Sequence, residues 1–247
     1  MPVHIECFID PANESDLISE LLHLLQKRPD HTYTNSENQH ILSVYDIKDT
    51  EGETVLQAVF HLVMNSGVME IKDLDLVIAD SPVLDVEYVF RLDLPQEGNE
   101  CYEAAIRDQH IQAETVSRER IPGKLEDTVQ RTAVCLFPFD YTLYSTEEAF
   151  HADFPDEPEP FLALSGSLLP KEGSSETFSF IIGTVVSGRT HYLQFGDLLC
   201  GCTILQVNTP VGILPAIISL DANEELQGGT IIAMYCDVKA NLAVDDA

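Results

Sequence analysis

Cysteine, histidine and the carboxylates are where chemistry would start in this 247-residue chain. Cys200 and Cys202 flank Gly201 in the stretch FGDLLCGCTILQV. In an extended strand, residues two apart point to the same face, which sets both thiols side by side. A zinc centre needs four ligands, commonly a second Cys or His pair at defined spacing. Cys236 offers a third thiol, and His191 is the nearest imidazole. A redox pair wants the two-residue Cys-x-x-Cys spacing and a helix N-terminus to lower a thiol pKa, and neither is here. Free cysteine packs as a small hydrophobe. The expectation is therefore two buried strand residues, with no metal and no cofactor.

Other chemistry finds little purchase. Eight histidines are scattered, and no pair has helical metal-ligand spacing. There is no phosphate-cradling glycine loop and no Gly-x-Ser-x-Gly turn, so no catalytic residue is nominated. DIKDTEGE (residues 46–53) is the nearest approach to a calcium loop; it also reads as a solvated hairpin turn. DFPDEPEP (residues 153–160) is extended and acidic. Asp153, Asp156, Glu157 and Glu159 could dock on a basic groove, or simply keep a linker in water.

Charge narrows the partners. Thirteen Lys and Arg face forty-two Asp and Glu, a net charge of −29. Such a surface repels phosphate backbones, so direct nucleic-acid binding is not expected. It repels anionic lipid as well, and the apolar runs are too short to span a bilayer. A charge of this size gives solubility, and it can also steer a basic protein partner inward. The N-terminus has no basic region followed by an apolar run, which reads as no signal peptide and a cytoplasmic chain. The six cysteines then read as reduced thiols.

The elements that would position these groups are mostly strands. PANESDLISELLHLLQKRP is the exception, an amphipathic helix. Leu17, Ile18, Leu21, Leu22, Leu24 and Leu25 make its apolar face, Asn13 or Ser15 caps it, and Pro29 stops it. Strands are expected at residues 40–47 and 74–79; 54–64 reads as a strand in preference to a buried helix, and 132–144 as a strand or a buried loop. The period-two pattern is clearest at 83–95, where Leu84, Val86, Tyr88, Phe90, Leu92 and Leu94 share one face. Residues 99–120 read as either helix or strand.

Three prolines and four acids within 151–161, continued by the break at 165–176, mark residues 151–176 as a linker or long loop. It separates an α+β domain (1–150) from an all-β domain (177–247). The second segment reads as about five short strands, with Gly183, Gly201 and Gly212 at bends. It resembles a small five-stranded barrel of the oligonucleotide/oligosaccharide-binding (OB-like) type. That is a resemblance of fold only. The basic face that lets such barrels bind nucleic acid is missing, since only Lys171, Arg189 and Lys239 are basic after Arg131.

The expected fold is thus α+β, mostly antiparallel β. The expected function is a non-enzymatic protein-binding module for a basic partner, as an immunity, inhibitor or assembly factor. The alternatives are a hydrolase with a dispersed site and a structural subunit of a homo-oligomer.

Overall fold

The computed structural model describes residues 8, 14–34, 40–90, 102–106, 109–116, 128–157, 159–166, 178–196, 198–219, 226 and 228–242. Helix α1 (Glu14–Leu24) sits where the leucine spacing placed it. Leu17 and Leu21 are fully buried, and Ile18, Leu22, Leu24 and Leu25 pack around them. The last turn tightens rather than stopping at Pro29: Gln26 N bonds His23 O and Lys27 N bonds Leu24 O. Asn13 lies outside the described residues.

Four strands follow as an antiparallel meander in the order β1 (His31–Thr34), β2 (His40–Lys48), β3 (Thr54–Asn65) and β4 (Val68–Ile78). The long apolar run at 54–64, which periodicity alone leaves between helix and strand, is β3. The remaining strands form one mixed sheet. They are β5 (Val83–Phe90), β6 (Tyr102–Ile106), β7 (Gln109–Val116), β8 (Thr128–Tyr144), β9 (Leu162–Gly166), β10 (Phe178–Phe195), β11 (Leu198–Thr209), β12 (Gly212–Ile218) and β13 (Ile231–Leu242). Residues 102–106 and 109–116 are therefore strands. The short helix α2 (Glu147–Asp153) lies between β8 and β9.

Two closed circuits of pairing share one strand pair. Strands β10, β11 and β12 form a meander; β12 meets β8 in parallel at Ala216–Leu136; β8 pairs β13, and β13 returns to β10. The second circuit leaves β8 at Thr128–Ala133 for β5, continues through β6 and β7, and re-enters β13 in parallel at Lys239–Asn241. Length makes the sharing workable. With seventeen and twelve residues, β8 and β13 can each serve one circuit with each half.

Ser187-Gly188 carries local turn chemistry, but β10 runs unbroken through it for eighteen residues. A register shift between Val185 and Ser187 absorbs the turn signal as a bulge. Gly183, just before it, permits a close approach: a Cβ there would meet Asn208 O at 2.5 Å and Val207 Cγ1 at 2.7 Å. The stretch read as a linker begins with the end of α2, and β9 within it pairs β10; residues 167–177 lie outside the described set.

Alternation along β8 divides the core. Val134 and Leu136 face the interior cluster with Leu205, Leu214, Ile232 and Met234. Cys135 and Phe137 face the opposite way, into a cluster of the meander, α1 and residues of β10, β11 and β12 such as Leu193, Cys202 and Ile217. Phe150 of α2 closes a third, smaller cluster with Tyr144 and Ile182. The coarse expectation, β-rich and mainly antiparallel, is what the chain adopts.

Candidate functional site

The densest polar constellation forms where the β2–β3 turn meets β10. Asp49 is the pivot. Its Oδ1 accepts from the backbone N–H groups of Glu51 and Glu53, each at 2.9 Å. This is the aspartate-turn bonding that favours Asp in tight loops. Asp49 N bonds Glu53 O, and Gly52 takes the left-handed φ of 89° the turn requires. The other oxygen, Oδ2, lies 2.9 Å from His191 Nδ1. Beside it, Arg189 donates to Glu53 Oε2 at 2.6 Å and to Glu51 Oε2 at 2.7 Å. Thr50 N also bonds Tyr192 O, and Asp49 bridges Leu193. The acidic stretch 46–53 is thus a hairpin turn stapled to β10. Sequence reasoning identified the turn and missed its partners, because 142 residues separate Asp49 from His191.

The hydrogen bond from His191, followed by those from the Glu53 and Glu51 amides, holds the Asp49 carboxyl below the usual carboxylate range, against the upward push of burial. A lowered folded-state pKa stabilises the fold above the unfolded pKa, and that stability is lost as pH falls through the folded value. The staple should therefore persist down to roughly pH 4 and weaken below it. In Asp49→Ala, exchange protection of the Glu51 and Glu53 amides should drop roughly tenfold or more at neutral pH. Amide exchange resolved by residue checks this; unchanged protection would mean another acceptor holds the turn.

Could the constellation do chemistry? A carboxylate oriented on a histidine Nδ1 is half of a catalytic triad. The nearest thiol is Cys202, the cross-strand partner of His191. That thiol is fully buried, and its pKa is pushed up to about 12 by desolvation first, then by Cys200 and Asp49. At neutral pH it is a protonated core side chain, not a nucleophile. Donor atoms of Asp49, Glu53 and His191 also lie within 4.8 Å of one another. A cation there would have to displace Arg189 from Glu53 and His191 from Asp49, both well-formed contacts.

The three thiols questioned from sequence do not converge. Cys200 and Cys202 share one face and pack in the cluster between the meander and the mixed sheet. Cys236 faces the interior cluster, with β10 lying between its strand and theirs. Burial raises the pKa of Cys135, Cys200 and Cys236 as well. Iodoacetamide at pH 8 should leave these four thiols unmodified in the native protein and alkylate all of them after denaturation. Peptide mass spectrometry reads this directly, and rapid native labelling of Cys200 or Cys202 would contradict their burial. Cys7 and Cys101 lie outside the described residues.

The four acids singled out from sequence fall on one continuous stretch. Asp153 ends α2 and accepts from the Tyr144 hydroxyl at 2.9 Å. That bond commits it to the fold and helps raise the tyrosine pKa, after desolvation. Asp156 and Glu159 are exposed and Glu157 is half-buried. Glu147 and Glu148 in the first turn of α2 extend the acidic run and suit the positive end of the helix. Comparison with known proteins finds no family model, no curated protein and no solved structure that matches this chain.

Proposed function

We propose that this chain is a non-enzymatic, cytoplasmic protein-binding module that receives a basic protein partner, in the manner of an immunity, inhibitor or assembly factor. One observation carries the reading: the net charge of −29 stands while two of the thirteen cations, Lys239 and Arg189, are already paired with carboxylates of the same chain. Lys239 is buried against Asp75, and Arg189 is held by Glu51 and Glu53. The exposed acids of α2 and the turn after it are the docking residues of this reading, with Asp156, Glu157 and Glu159 at its centre. Asp153 sits at the edge because its carboxylate already serves Tyr144. No helix among the described residues is long and apolar enough to cross a membrane.

The barrel reading goes with it. The circuit β10–β11–β12–β8–β13 supports an OB-like barrel in which β8, early in the chain, takes the place of the fifth strand. With so few cations, such a barrel has no basic groove for nucleic acid. The hydrolase alternative finds no support in the Asp49–His191 pair, whose neighbouring thiol is protonated.

The test is affinity capture at low ionic strength with elution by salt, followed by titration calorimetry with the basic protein recovered. Affinity should fall steeply with salt, and neutralising Asp156, Glu157 and Glu159 to their amides should weaken binding by roughly tenfold or more. A chain that captures no basic protein at low salt would sink this reading.

A further inference from the structure

The β3–β4 hairpin ends in an arm. Residues 64–72 are all exposed, on both faces of the ribbon. A two-residue turn with positive φ at Ser66 and Gly67 closes it, the geometry that matches strand twist. Met64 and Met69 are cross-strand partners, with Ile71 two residues on along the same face. Met64, Val68, Met69 and Ile71 are 39%, 61%, 51% and 42% exposed. Nothing among the described residues covers them. A two-stranded ribbon wet on both faces is marginal in water and gains from a third strand or layer, and β4 is the edge strand of its sheet.

We propose that a second copy of this chain docks on the arm, β4 against β4 about a two-fold axis at Ile71. Charge selects the occupant. Glu70 and Lys72 bracket Ile71, so an antiparallel two-fold sets each Glu70 opposite the partner's Lys72. Such an interface is self-complementary, as a two-fold demands. The register shift leaves Lys72 as the extra residue of a bulge. A bulged lysine blunts an edge against indiscriminate strand pairing. A strand bringing glutamate to that position escapes the penalty, and the arm itself is such a strand. The arm is also net neutral in a chain of −29, so two copies can touch there with least repulsion.

The rest of the two surfaces still repel, so dimerisation should strengthen as salt rises. Binding of a basic partner should weaken, so the two proposals fail separately. Sedimentation equilibrium at 0.5 M NaCl should show a concentration-dependent dimer. Glu70→Lys should weaken it about tenfold or more by setting lysine against lysine, and the exchange Glu70→Lys with Lys72→Glu should restore it. Both variants are at exposed positions, so circular dichroism should show them folded. A strict monomer at all concentrations, or a dimer indifferent to Glu70→Lys, overturns the proposal.

Discussion

Replacing Lys239 with alanine is expected to cost about 3–5 kcal/mol, the usual penalty for stranding one member of a buried ion pair. Lys239 is a charged side chain at 1% exposure. Its neighbours Val238 and Ala240 point into the interior cluster, so the lysine points the other way, toward the meander. There its Nζ donates to Asp75 Oδ1 of β4 at 3.2 Å, next to its cross-strand partner Cys135. The pair therefore joins β13 to β4 across the seam between the two sheets. Truncation removes the cation and leaves the Asp75 carboxylate in a region of low dielectric, which is where the cost arises. Replacing both partners with apolar residues of similar size, Lys239→Met with Asp75→Leu, should recover most of the loss, because two desolvated charges disappear together. Denaturant titration by circular dichroism measures both variants, and adding the single replacements Lys239→Met and Asp75→Leu completes the double-mutant cycle that isolates the coupling. A single variant as stable as the original would show that water reaches Asp75 and that the seam is wetter than its geometry.

That lysine also shows where sequence reading stops. Local pattern is legible: α1 follows from six apolar residues at helical spacing, β5 from alternation, and the 66–67 turn from Asn-Ser-Gly chemistry, whereas the apolar run of β8 reads equally as a buried loop. Burial of Cys200 and Cys202 follows from their spacing and apolar neighbours. What the sequence does not display is pairing between distant strands. Lys239 and Asp75 are 164 positions apart, and no local pattern marks one as the other's counter-ion. The Asp49–His191 contact hides for the same reason. Its only local signal is Asp49 within a turn-forming stretch, which suggests a hairpin turn well before a calcium loop and names no partner. The bulge in β10 is hidden because Ser-Gly, read locally, is a turn signal; in the fold, pairing with β11 on either side of it carries the strand through. The acidic run 153–160 was legible as composition, but that Asp153 satisfies a tyrosine hydroxyl depends on the packing of α2 over β8.

Phe137→Ala should lower stability by about 3–5 kcal/mol, the range for deleting a buried aromatic from a packed core. The more telling result is the shape of the transition. Phe137 is fully buried on β8, on the face that packs with Leu17 and Leu21 of α1, Phe60 of β3 and Leu74 of β4. Its sequence neighbours Leu136 and Val134 belong to the interior cluster on the other face. One strand thus forms a wall of both cores, and β8 is also shared between the two pairing circuits. A cavity at Phe137 loosens the meander-side core directly. It reaches the interior core through the backbone ladder of the strands that wall both clusters, β8 together with β10, β11 and β12. If the cores are coupled through that ladder, urea should unfold the variant in a single transition with a lower midpoint and an unchanged slope. Tyrosine fluorescence and circular dichroism should then coincide, with the segments before residue 150 and after residue 177 melting together. Two separated transitions would mean instead that the meander detaches from a mixed sheet that stays folded, and that the chain has two stability units.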